Sequence, residues 1–207
     1  MSDLNAEELI VRGKIQIQHD FPFFAYLSLK LKLREWNKEE VESIKKQLGF
    51  CTMAVDIKNN LYYNPEFVEK ELGSDDKIIS VLAHEILHCS LLHPIRTGNR
   101  NPEIWNIAID LCCNAILKNN GFYIGEKWIY PDNNDEFVVG KKTIKEVSKK
   151  SAEELYDEII DELTKNNKLM KDLLEGNFDI HIQSKEKGDG EGKEKEEKEG
   201  NGINNKY

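Results

Sequence analysis

Five consecutive residues, His84-Glu85-Ile86-Leu87-His88, restrict this chain more than any others. The H-E-x-x-H pentad lies in an apolar run, residues 78–92, whose spacing predicts a helix. Side chains four residues apart share one face of a helix, so both imidazoles can reach a single metal ion from one side. Glu85, beside the first histidine, is then placed to accept a proton from an activated water. With five histidines among 207 residues, a chance H-E-x-x-H is expected in fewer than roughly one in a hundred such chains. The alternative, a buried helix carrying two hydrogen-bonded histidines, needs that coincidence.

The rest of the composition narrows the class. The formal net charge is −9, and no stripe of Lys and Arg offers a surface for phosphates, so a nucleic-acid partner is not expected. No apolar run reaches the length of a membrane span. The first ten residues are polar and acidic, unlike a signal peptide. Cys51, Cys89, Cys112 and Cys113 form no C-x-x-C pair. They read as small core residues in a reducing compartment, and a cytoplasmic protein is expected.

Along the chain, residues 3–18 show partial helical spacing. Residues 25–33 alternate Leu with Ser or Lys, which is strand-like, although a helix growing from the Phe21-Pro22-Phe23-Phe24 block would also fit. Residues 38–48 predict a helix ended by Gly49. Residues 51–56 and 60–63 predict two short strands joined through Asn59 and Asn60. A helical turn over 66–71 closes at Gly73. Ser74 is the expected N-cap of the pentad helix, and Pro94 its expected stop. A second apolar helix is predicted over 102–118 and a last one from about 151 to 164, with Ser151 and Glu154 at capping-box spacing. Residues 122–142 read as an aromatic loop. The Lys/Glu/Gly-rich residues 184–207 read as a disordered tail, leaving residues 1–183 as one domain.

Hydrolytic zinc sites usually take three protein ligands, and the pentad supplies two. Asp110 is the favoured third. A carboxylate in an apolar helix is costly to bury unless paired or metal-bound, and Asn106, Asp110 and Asn114 form a polar stripe at i, i+4, i+8. Thermolysin-like sites also take a carboxylate from a following helix. The stripe could instead face solvent. His93, five residues after His88, is a second candidate. At about 100° per residue it points away from the His84/His88 face if the helix continues, and it could serve only if the helix breaks early. Metzincins turn the chain at a Gly here, and residues 89–92 contain none. Glu103, seven residues before Asp110, is the third candidate, but an acid in a helix's first turn is expected for dipole reasons alone.

The stretches DFPFF (20–24), LYYNPEF (61–67), LAHEILHCSLLH (82–93) with Arg96, IWNIAIDLCCN (104–114) and SAEELY (151–156) carry a resemblance. In that order, the chain resembles a bacterial metallopeptidase domain family that usually precedes a von Willebrand factor A-like domain. The resemblance implies an α+β, zincin-like fold, mostly helical, with a small mixed or antiparallel sheet packed on the H-E-x-x-H helix. It also implies a zinc peptidase acting on a peptide or protein, and an Asp at the position of Asp110. Where the family usually continues through a linker into the adhesion-type domain, this chain has its Lys/Glu/Gly tail. That domain is then expected to be absent or carried on a separate polypeptide.

Two functions follow as expectations. In one, His84, His88 and Asp110 hold Zn²⁺, Glu85 is the general base, and Tyr156, Arg96 or His93 is a candidate oxyanion donor. In the other, zinc only staples a helix pair in a non-catalytic module that works with a von Willebrand-like or ATPase partner. A structural site needs no general base, so Glu85 favours the first.

Overall fold

The computed structural model describes residues 4–48, 51–126 and 128–176. Its elements run α1 (Ala6–Asp20), α2 (Pro22–Lys30), β1 (Lys32–Glu35), α3 (Lys38–Leu48), β2 (Met53–Val55), β3 (Asn60–Tyr63), a π-helical turn (Phe67–Leu72), α4 (Asp75–Ser90), a 3₁₀ turn (His93–Ile95), α5 (Pro102–Asn119), β4 (Phe137–Val139), β5 (Lys142–Ile144), a second 3₁₀ turn (Val147–Lys149), α6 (Ala152–Lys165) and α7 (Asn167–Gly176). The fold is α+β and mostly helical, as expected. β3 lies at the centre of a three-stranded mixed sheet, parallel to β1 and antiparallel to β2, while β4 and β5 form a separate antiparallel hairpin. No helix among the described residues is long and apolar enough to cross a membrane. The expected tail, residues 184–207, and Gly49 lie outside the described residues.

Local chemistry sets several helix starts. Asn5 with Glu8, Asn37 with Glu40, and Ser151 with Glu154 each exchange side-chain and backbone hydrogen bonds in a capping box. Ser74 takes the N-cap position of α4 with extended backbone, but its side chain makes no capping bond. The turn before it closes at Gly73, whose φ of +61° suits a residue without a Cβ.

The strand-like reading of residues 25–33 is corrected. Pro22 at the first turn presets a helical φ, and burial then follows helical spacing through Phe24, Ser28 and Leu31. Leu29, which alternation would place inward, is 62% exposed. Phe21 stacks on Phe122 at 4.2 Å and Phe24 meets the same ring edge-on at 5.3 Å, anchoring α2 from far along the chain. The strand starts only at Lys32, where β3 pairs with it. The β4–β5 hairpin within and just beyond the 122–142 loop, and α7, went unanticipated.

Two hydrophobic clusters meet along α5, which contributes Cys113 and Leu117 to the first and its apolar residues from Ile104 to Cys112 to the second. One joins α1, α2, the mixed sheet and one side of α4, through Ile10, Ile17, Met53, Leu61, Ile78, Leu82 and Ile86. The other joins α5, α6, the hairpin and the second 3₁₀ turn, through Trp105, Ile109, Val139, Val147, Leu155 and Ile159. α4 is buried at every position from Ile78 to His88, which is the pattern of a central core helix. α1 crosses it closely at Gly13, where an added Cβ would sit 2.9 Å from Ile78 Cγ2 and 3.0 Å from Leu82 Cδ1. Gly13→Leu is therefore expected to destabilise the fold by about 1–3 kcal/mol by overpacking. A lowered urea midpoint at unchanged slope would show it, and an unchanged midpoint would refute the close crossing.

Candidate metal centre between two core helices

Two of the three residues of the α5 polar stripe face inward, and Asn106 is half-buried. Asp110 and Asn114 are both 2% exposed, opposite the pentad face of α4, so the solvent-facing alternative fails. His84 Nε2 and His88 Nε2 approach to 2.7 Å, and Asp110 Oδ1 lies 3.6 Å from the first and 3.3 Å from the second. Two imidazole nitrogens and a carboxylate oxygen thus converge within the reach of one ion, all 4% exposed or less. Glu85, the next residue after His84, is fully buried.

Asn114 fixes the orientation of His84. Its amide nitrogen donates to the Ile129 carbonyl at 2.9 Å, so its Oδ1 is the atom left facing His84 Nδ1, also at 2.9 Å. His84 Nδ1 then carries the proton and donates it, which leaves the Nε2 lone pair for the shared space. The Trp128 indole covers the same ring, its centroid 5.5 Å from that of His84. A cavity of about 340 Å³ is lined by Trp128 together with Phe67, Leu72, Val81, Tyr123 and Gly125, and Glu71, Lys77 and Glu126 also border it. A Cβ at Gly125 would lie 2.8 Å from the Trp128 ring, so the lack of a side chain there allows this placement of the indole.

His93 departs from its expected direction. α4 ends at Ser90 rather than near Leu92, and Leu92 adopts a left-handed conformation with φ +56°. Pro94 has no N–H to donate to the Ser90 carbonyl four residues back, and its ring would clash with that carbonyl, so the helix stops at Ser90. The reversal at Leu92 then swings the chain back under the helix. The Arg96 guanidinium donates to the Leu91 carbonyl at 2.7 Å, satisfying one of the freed helix-end acceptors. His93 becomes fully buried, its Nδ1 3.0 Å from His88 Nδ1 and 3.7 Å from Cys113 Sγ. It therefore faces the edge of His88 opposite to the one shared with His84 and Asp110. Cys113 was not singled out from sequence, although it lies three residues beyond Asp110 and so near the same face of α5. No local signal marks Trp128, which reaches His84 from a loop.

The remaining candidates are placed elsewhere. Glu103 is exposed in the first turn of α5, its N–H donating to the Asn101 cap. Arg96 pairs with Glu153 on α6. Burial raises the Glu153 carboxyl, but hydrogen bonds and charge from Arg96, with Arg100 behind, bring it below its ordinary range. The Tyr156 hydroxyl accepts the Asn101 N–H at 2.9 Å, and its ring meets Trp105 edge-on. Arg100 lies over both rings. These contacts brace the start of α5 against α6 and so help to hold Asp110 in place.

A family model described as "Putative metallopeptidase domain" matches residues 11–206. No curated protein and no solved structure matches the chain.

Proposed function

This chain belongs to the putative metallopeptidase domain family, and on that premise we propose that it is a zinc-dependent peptidase whose ion is held by His84, His88 and Asp110. The observation that carries the reading is the convergence of His84 Nε2, His88 Nε2 and Asp110 Oδ1 within 3.6 Å of one another. Two neutral imidazoles and one carboxylate form a donor set typical of hydrolytic zinc sites. Zinc, when bound, supplies the Lewis acidity that polarises a peptide carbonyl and makes water acidic near neutrality.

The chain's own groups do the rest. Asn114 keeps the His84 Nε2 lone pair directed at the ion by accepting the Nδ1 proton. Glu85 takes the proton of the attacking water on its carboxylate and returns it to the departing amine. Its burial keeps competing water away and strengthens its electrostatic action there. The cavity beyond Trp128 offers room for a side chain flanking the scissile bond, with Val81 one turn before His84 in its wall.

Metal removal tests the reading. The zinc-loaded chain should cleave members of a peptide library, fall to background after chelation, and recover when zinc is restored. A fully zinc-loaded, folded chain that cleaves nothing would leave the non-catalytic alternative in its place.

A further inference from the structure

His88 takes part in two ligand sets through opposite edges of one ring. Its Nε2 faces His84 and Asp110, while its Nδ1 faces His93 Nδ1 and Cys113 Sγ. We propose that His88 Nδ1, His93 Nδ1 and Cys113 Sγ form a second metal position for a thiophilic divalent ion, with the His88 imidazole bridging it to the first. The three donor atoms lie 3.0, 3.7 and 4.0 Å apart. An ion with Zn–N near 2.0–2.1 Å and Zn–S near 2.3 Å separates its nitrogens by roughly 3.3 Å and nitrogen from sulfur by roughly 3.6 Å in a tetrahedral site. The observed spacings are within a few tenths of an ångström of that requirement. Two histidines and one cysteine in a three-donor arrangement suit zinc, copper or cobalt rather than magnesium or calcium.

Charge supports the same assignment. His88, His93 and Cys113 are fully buried, and a net charge in that environment is expensive. Binding of the second ion releases the Cys113 thiol proton and the remaining His88 ring proton to solvent. The thiolate and the imidazolate then neutralise the divalent charge locally, without drawing on Asp110 or Glu85. The Leu92 reversal gains a use as well, since it is what places His93 against Cys113.

Cobalt titration of the metal-stripped, reduced full chain, in the absence of oxygen, tests this. The wild type should take up two Co²⁺ per chain and develop a near-ultraviolet thiolate-to-cobalt charge-transfer band. Cys113→Ala and His93→Ala should each lose one ion and the band. His84→Ala should lose the other ion and keep the band. The neighbouring thiol of Cys112 approaches the Lys150 carbonyl rather than the histidines, so it should not substitute.

One ion without a thiolate band in the wild type, two without a band, or a band that survives Cys113→Ala would each overturn the second position. The 3.0 Å contact would then be a hydrogen bond between His88 and His93 alone. The wild-type titration decides even if the buried variants fail to fold. One ion with a band that Cys113→Ala removes would support this position while counting against the His84, His88 and Asp110 set, so the two assignments fail separately.

Discussion

Replacing Glu85 with Gln is expected to lower peptide hydrolysis by about 10²–10⁴-fold, the usual contribution of a positioned general base, while leaving the zinc content unchanged. Gln matches Glu in volume, so a fully buried site accepts it without a cavity. The two histidines and Asp110 that are proposed to hold the ion are untouched, and Gln only fails to take a proton. The effect should fall on kcat, because Glu85 acts as the bond changes rather than when substrate binds. Zinc analysis beside single-turnover kinetics separates the outcomes. Full activity in the variant would exclude Glu85 as base, and loss of zinc together with activity would make it a structural support of the site.

Much of this arrangement was legible in the sequence, for local reasons. Capping boxes depend on residues three apart, so Ser151 and Glu154 announced α6 before any contact was known. Apolar spacing over 102–118 located α5, and the Asn59–Asn60 turn joined β2 to β3. The i, i+4 spacing within the pentad, and again along Asn106, Asp110 and Asn114, defined two polar faces. Periodicity assigns residues to a face but not a direction to the face. That Asp110 looks at His88 rather than at solvent depends on α6 and the hairpin packing on the other side of α5.

What escaped was governed by contacts distant in sequence. The alternation of Leu27, Leu29, Leu31 and Leu33 obeys period 2, yet Phe122 and Pro22 select a helix for most of that stretch. A helix continued to Leu92 points His93 away from the other histidines, and termination two residues earlier turns it inward. Pro94 carries the clue, since it can neither donate to the Ser90 carbonyl four residues back nor clear it with its ring, which ends the helix there. Trp128 could not have been paired with His84 from spacing, because a loop carries it there.

Asp110→Asn is expected to remove about 5–10 °C of the zinc-dependent rise in Tm and to abolish hydrolysis. A ligand at a hundred times its Kd stabilises the folded state by about 2.7 kcal/mol, and each kcal/mol is worth roughly 2–4 °C in a chain of this size. The metal-free proteins make the test discriminating. If Asp110 serves only as a buried ion-pair partner of the histidines, neutralising it strands a charge and costs the metal-free fold about 3–5 kcal/mol. If it serves as a ligand, the ion is the partner that best offsets the burial of its carboxylate, and a neutral amide lowers the burial cost of the metal-free fold. The metal-free variant should then be at least as stable as metal-free wild type, while the zinc-loaded variant is less stable than zinc-loaded wild type. Parallel melting curves with and without zinc measure both differences, and a large loss in the metal-free pair would move Asp110 from ligand to structural partner.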